Sequence, residues 1–150
     1  MQQTVLLVED NNADVALFVN AFALARSPFA LVTVRDGEEA IKYITGTAPY
    51  DNRARFPMPT LVLLDLQILR MDGLSLLSWM RSQPAYRHLP AIVLSGSTSE
   101  SMRQKALELG AKEYRVKTGD LDDLTHWISG LNAKLAEWSA CASGVGSESA

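Results

Sequence analysis

Five polar side chains stand where apolar runs stop, and together their types describe one piece of chemistry. Glu9 and Asp10 follow Thr4-Val-Leu-Leu-Val8, Asp65 follows Leu61-Val-Leu-Leu64, Ser95 follows Ala91-Ile-Val-Leu94, and Lys117 follows Glu113-Tyr-Arg-Val116. If they converge, the carboxylates suit Mg2+, a hard cation that takes oxygen ligands. A lysine and a hydroxyl can bond phosphoryl oxygens. A remaining carboxylate can attack phosphorus and form an aspartyl phosphate. Without a cation, three acids in one pocket would repel, and one would be expected to protonate. Taken singly, each has a plainer reading. Asp65 can bond nearby N–H groups as a loop residue, and Glu9 and Asp10 can be acids that favour a helix N-terminus.

For these groups to meet, the runs must be neighbouring parallel strands. A strand covered on both faces shows no polar alternation, and an open α/β sheet gathers its ligands at the C-terminal strand ends. The runs give β1 (4–8), β2 (29–34), β3 (61–64), β4 (91–94) and β5 (113–116), the last with the alternation of an edge strand. Between them lie helical periodicities. In α1, Val15, Leu17, Phe18, Val19, Phe22 and Leu24 recur up to Arg26, with Asn11 or Asn12 as cap and Asp14 in the first turn. Asp36-Gly-Glu-Glu39 opens α2, which carries Ala40, Ile41, Tyr43 and Ile44. Leu74, Leu76, Leu77, Trp79 and Met80 mark α3, ending near Pro84, and α4 runs over about 99–109 to a stop at Gly110. The last helix, α5, is expected to run from about Leu121 to beyond Trp138. Strands alternating with helices predict a doubly wound α/β domain with a five-stranded parallel sheet and helices on both faces. Residues 45–59, with Gly46, Pro49, Pro57 and Pro59, read as a loop whose length suits a functional element, with a solvated connection as the plainer and preferred reading.

The chain has 150 residues and is 47% hydrophobic, which suits one domain. A net charge of −3, with both signs spread along the chain, argues against a nucleic-acid surface. One cysteine, Cys141, excludes a disulfide framework and suits a reducing compartment. No apolar run approaches a membrane span, and the N-terminus enters a strand with no signal segment. The expectation is a cytoplasmic domain over 1–141, followed by a disordered Ser- and Gly-rich tail over 142–150.

Val8-Glu-Asp-Asn11, Leu64-Asp-Leu66 with Met71-Asp-Gly73, Leu94-Ser-Gly96, and Gly110-Ala111 ahead of Tyr114-Arg-Val-Lys117 resemble the receiver domain of two-component response regulators. The motifs occur in order over roughly 4–135. The resemblance, chemotaxis-like in form, implies the flavodoxin-like strand order 2-1-3-4-5 and a phosphorelay function. It implies that the chain is a phosphoacceptor rather than an enzyme, contributing to its own phosphorylation and dephosphorylation. By position, Asp65 matches the phosphoacceptor and a metal ligand, Asp10 the direct Mg2+ ligand, and Glu9 a second acid acting through water. Gln67 matches the residue whose backbone carbonyl completes the metal site. Ser95 and Lys117 match the hydroxyl and ammonium that hold the phosphoryl group, with the Gly96 amide assisting. Tyr114 matches the aromatic that turns inward when Ser95 engages phosphate, although a packed edge-strand tyrosine would look the same. The implied partner is a sensor histidine kinase or phosphotransfer protein. The loop before β3 and the absence of an output domain resemble the small regulators that pair with phytochrome-type kinases.

Two positions depart from the family pattern. Thr118 stands where proline usually follows the lysine, and Ser95 where threonine is common. A non-prolyl cis bond costs roughly 2.5–4 kcal/mol, so Lys117–Thr118 is expected to be trans, with Gly119 absorbing the altered path. An aspartyl-phosphate hydrolase would want an acid at Gln67. A flavin or nucleotide site would want a Ser-, Thr- and Gly-rich phosphate loop after β1, where Glu9 and Asp10 would repel phosphate unless a cation intervened. Output is expected through the face formed by α4, β5 and α5. Leu124, Ile128, Leu131, Leu135 and Trp138 recur at spacings of four and three, like a coiled-coil seam. Leu124 and Ile128 read as core; Leu135 and Trp138, harder to bury under the same sheet, are candidates for a homodimer or partner contact.

Overall fold

Side-chain alternation along the strands decides the layering. The computed structural model describes residues 2–68 and 71–139; Cys141 and the expected tail lie outside the described residues. The elements are β1 (Thr4–Val8), α1 (Asn12–Leu24), β2 (Ala30–Val34), α2 (Gly37–Thr45), β3 (Leu61–Asp65), α3 (Gly73–Ser82), β4 (Ala91–Ser95), α4 (Glu100–Glu108), β5 (Glu113–Val116) and α5 (Leu121–Ser129). The strands form one parallel sheet in the order β2-β1-β3-β4-β5. Val5, Leu7, Leu61, Leu63, Ile92 and Leu94 pack with Phe18, Phe22, Leu124 and Ile128, from α1 and α5. Leu6, Val8, Val62, Leu64 and Val93 pack with Ala40, Ile44, Leu76, Leu77, Met80 and Ala106, from α2, α3 and α4. With helices on both faces, β1, β3 and β4 are buried at every residue, which is why their sequences carry no alternation. Each such aliphatic side chain contributes about 1.5–3 kcal/mol of burial.

The helix caps are local. Asn11, Asp36, Asp72, Ser99 and Asp120 each accept a backbone N–H of the helix they open. Asn11, not Asn12, caps α1. That helix is apolar nearly all round, so the packed face takes Phe18, Ala21 and Phe22 while Val19 and Leu24 stay exposed.

One expectation needs refinement and another correction. The 45–59 segment is largely exposed, as a solvated connection would be, but a few of its side chains anchor it to α2. Tyr50 and Phe56 fold back on the buried Tyr43, with ring centroids 5.0–6.1 Å apart. The Arg53 guanidinium donates to the carbonyls of Tyr43 (2.7 Å), Ile44 (2.7 Å) and Phe56 (2.9 Å). The last carbonyls of a helix lack intrahelical partners and carry partial negative charge, so an arginine there satisfies both needs. The last helix does not run unbroken past Trp138. α5 stops at Ser129, Gly130 turns with ψ −7°, and a further helical segment covers 131–139. Glycine costs about 1 kcal/mol in a helix relative to alanine, and the break falls there. Leu131 is fully buried, and Leu135 and Trp138 pack partly against the α1–α5 core. Lys112 Nζ lies 6.0 Å from the Trp138 ring centroid.

Candidate functional site

The strand register brings the polar ends together. Val8 pairs with Leu64, Asp65 with Leu94, and Ser95 with Val116. Glu9, Asp65, Ser95 and Lys117 therefore stand at successive strand ends along one sheet edge. Asp65 is 4% exposed and Glu9 fully buried, against the rule that carboxylates stay wet unless paired.

Lys117 is the partner. Its Nζ donates to Asp65 Oδ2 (2.7 Å), Glu9 Oε2 (2.7 Å) and Asp14 Oδ2 (3.0 Å). The remaining oxygens are held by the backbone: Asp65 Oδ1 accepts from the Gln67 N–H (3.0 Å) and Glu9 Oε1 from the Asn11 N–H (3.1 Å). Burial, reinforced by the neighbouring Asp65 carboxylate, pushes the Glu9 carboxyl up to about 7, and Lys117 pulls it partly back. For Lys117, burial acts to lower the pKa, but the hydrogen bonds it donates to Asp65, Glu9 and Asp14 outweigh it and the net shift is upward. The lysine is locked in its charged form.

Glu9, Asp10 and Asp65 can each bring one carboxylate oxygen within 4.8 Å of the others. Oxygen donors alone, with no histidine or cysteine among the three, fit Mg2+ or Mn2+ better than a softer metal. The unequal load on Glu9 points the same way, since crowded acids with one ammonium are under-neutralised.

Gly73 shapes the floor of this site. Its N–H donates to the Leu66 carbonyl at 3.0 Å. A Cβ there would lie 2.6 Å from the Asp65 carbonyl oxygen and 2.8 Å from Leu66 Cα. Only glycine lets α3 start this close to the turn that follows Asp65.

Ser95, almost buried at the end of β4, accepts the Ser97 N–H on its Oγ (3.1 Å), and its carbonyl accepts from the Lys117 N–H (2.7 Å). Gly96 is exposed, and a side chain there would meet nothing within 4 Å. Tyr114 is buried and donates its hydroxyl to the Ser97 carbonyl (2.8 Å). Ser95 and Tyr114 thus meet through Ser97. Among the described residues the one cis peptide is Ala48–Pro49, so Lys117–Thr118 is trans, and Gly119 has φ 74°. Thr118 Oγ1 accepts from the Asp120 N–H (3.3 Å) and donates to Asp123 (3.1 Å), holding the turn. Leu135 and Trp138 lie apart from all of this, on a groove beside Thr60, Pro90 and Lys112 at the opposite strand ends.

Two participants escaped sequence reasoning. Asp14 reads as an acid in the first turn of α1, yet it reaches Lys117. Its spacing of four from Asp10 is the only signal. Arg35 follows β2 and donates from Nη2 to the Asp10 carbonyl (3.0 Å) and from Nη1 to Asn12 Oδ1 (2.8 Å). A cation one residue past the strand beside β1 was the available hint.

Residues 5–129 match the family model described as the response regulator receiver domain. The chain is 30% identical over 131 residues to response regulator Rcp1 of Synechocystis sp., with 87% of each chain covered. The crystal structure of the Mn2+-bound form of Rcp1 has a TM-score of 0.76 to this chain at 30% identity, covering 87% of this chain and 92% of that one. Response regulator RPA3017, in red light signaling of R. palustris, gives 0.81 at 35% identity, covering 86% and 90%. The phosphorylated cyanobacterial phytochrome response regulator RcpA gives 0.77 at 34%, covering 87% and 91%.

Proposed function

Because this chain belongs to the response regulator receiver family and so to phosphorelay signalling, we propose that Asp65 is its phosphoacceptor. The observation that carries this is the Lys117 ammonium bridging Asp65 and Glu9 at 2.7 Å each, beside Asp10, at the C-terminal edge of the sheet. An Asp65 oxygen attacks the phosphorus of a phosphohistidine; the P–N bond breaks, and its electron pair leaves with the imidazole, which departs neutral because its other ring nitrogen already carries a proton. Lys117, already charged and in place, stabilises charge on the phosphoryl oxygens. The Ser95 hydroxyl and the Gly96 N–H donate to the same group. Glu9, Asp10, Asp65 and the Gln67 carbonyl would hold Mg2+. Bound there, Mg2+ supplies charge neutralisation and in-line orientation of the phosphoryl oxygens.

The finer reading has supports of its own. The source is a sensor histidine kinase of phytochrome type, a reading supported by the similarity to RcpA, which is described as a phytochrome response regulator. Engagement of Ser95 pulls the β4–α4 turn that the Tyr114 hydroxyl holds through Ser97, so output leaves by the α4–β5–α5 face. Leu135 and Trp138 offer their exposed halves to a second copy. The chain contributes to its own phosphorylation and dephosphorylation and operates in the cytoplasm; no helix among the described residues is long and apolar enough to cross a membrane.

The test is intact-protein mass after incubation with acetyl phosphate and Mg2+. Wild-type protein gains one phosphoryl group, removal of Mg2+ with a chelator prevents it, and Asp65→Asn stays unmodified. Phosphorylation of Asp65→Asn at the wild-type rate would overturn the assignment.

A further inference from the structure

A chain of hydrogen bonds joins the anchored 45–59 loop to the acidic site. The Tyr50 hydroxyl donates to Glu39 Oε2 (2.6 Å), and Glu39 Oε1 accepts the Arg35 N–H (2.7 Å). The Arg35 guanidinium then forks across the β1–α1 turn, one arm on the Asp10 carbonyl and the other on Asn12 Oδ1. The flanks of Asp10 are held separately: the Glu9 N–H donates to the Val34 carbonyl (3.0 Å), and Asn11 caps α1. Arg35 thus fastens the peptide between these two fixed points. At the far end, Arg53 fixes the loop that presents Tyr50.

We propose that Arg35 is a positioning residue for cation binding at Asp10, buttressed by Glu39 and by Tyr50 of the 45–59 loop. The inference rests on the metal site proposed above. What sets it apart from a plain charge effect is its sign. A guanidinium next to a cation site repels the cation, so removing it should tighten binding if charge alone matters. If Arg35 acts by holding the turn, removing it should loosen binding. Lysine keeps the charge but donates from one nitrogen, whereas Arg35 reaches its two acceptors from the two separate ends of a planar fork.

The probe is Mn2+, its binding followed by electron paramagnetic resonance or calorimetry, with urea unfolding as the control for stability. Because hydrogen bonds from charged donors are modest when exposed, Arg35→Ala and Arg35→Lys should each weaken Mn2+ binding about three- to tenfold. Tyr50→Phe, one link further away, should weaken it about two- to threefold. These losses should appear in proteins that remain fully folded at the assay temperature. Tighter or unchanged binding in Arg35→Ala, or wild-type affinity in Arg35→Lys, overturns the proposal. Asp10→Asn is the reference: it should cost more than any of these variants. If it leaves Mn2+ affinity unchanged, the metal site itself is misassigned and the role of Arg35 falls with it, a failure separate from that of Arg35 alone.

Discussion

At the scale of single residues, the site works by concentrating charge where water is scarce. Lys117 draws two buried carboxylates and a partly exposed third onto one ammonium. Removing a lone partner from such a set leaves uncompensated buried charge, typically a loss of several kcal/mol. Elsewhere the core tolerates one unsatisfied group. The fully buried Tyr43 hydroxyl has no hydrogen-bond partner, the single such side-chain atom among the described residues. Burial accordingly pushes its pKa up. Because that hydroxyl forfeits its hydration for no bond, Tyr43→Phe should be neutral or stabilising, by up to about 1 kcal/mol. The ring contacts with Tyr50 and Phe56 are kept. Urea unfolding is the measurement, and a loss beyond about 1 kcal/mol would mean that the hydroxyl has a partner in solution.

At the scale of elements, the site depends on how closely α3 approaches the end of β3. Gly73→Ala would ordinarily stabilise a helix start by about 0.4–1 kcal/mol through the unfolded chain. Here the new methyl would fall 2.6 Å from a backbone oxygen, and backbone cannot yield as a flexible side chain does. The steric term should win, with a net loss of about 1–3 kcal/mol and weaker Mn2+ binding as the turn after Asp65 shifts. A thermal midpoint at or above wild type would show that α3 slides without cost. The β5–α5 turn solves a related problem differently. Where the family pattern has proline, the Thr118 hydroxyl links Asp120 and Asp123, and the positive φ of Gly119 completes the reversal.

At the scale of the whole molecule, the stripe that reads as a seam is divided between core and surface. Leu124, Ile128 and Leu131 are buried, whereas Leu135 and Trp138 are half-buried after the break at Gly130. A Leu135→Glu, Trp138→Glu double variant therefore carries two expected effects. Stability should fall by about 2–4 kcal/mol, since two partly buried apolar side chains give way to carboxylates. Association induced by beryllofluoride should also be lost, as followed by light scattering at a temperature where the variant stays folded. A wild-type protein that remains monomeric with beryllofluoride would remove the homodimer, and an unchanged urea midpoint would show that the packing of these residues contributes nothing.

The place of every strand along the chain, the N-cap of α2 and the residues at the strand ends were legible in the sequence, because each rests on local physics. A strand covered on both faces must be apolar throughout, a cap must sit at the helix start, and ligands of a parallel sheet must stand just past its strands. What the tertiary structure decided lies in contacts between distant residues. Lys117 meets Glu9 across 108 positions and takes Asp14 as well. Arg35 reaches over to Asp10, and Arg53 ties a proline-rich segment to the last carbonyls of α2. Long polar side chains carry no periodicity that announces a partner, and a loop's aromatics look the same whether exposed or packed. Their positions follow from the space left once the sheet has closed and from the need of each buried donor, acceptor and charge to find a partner.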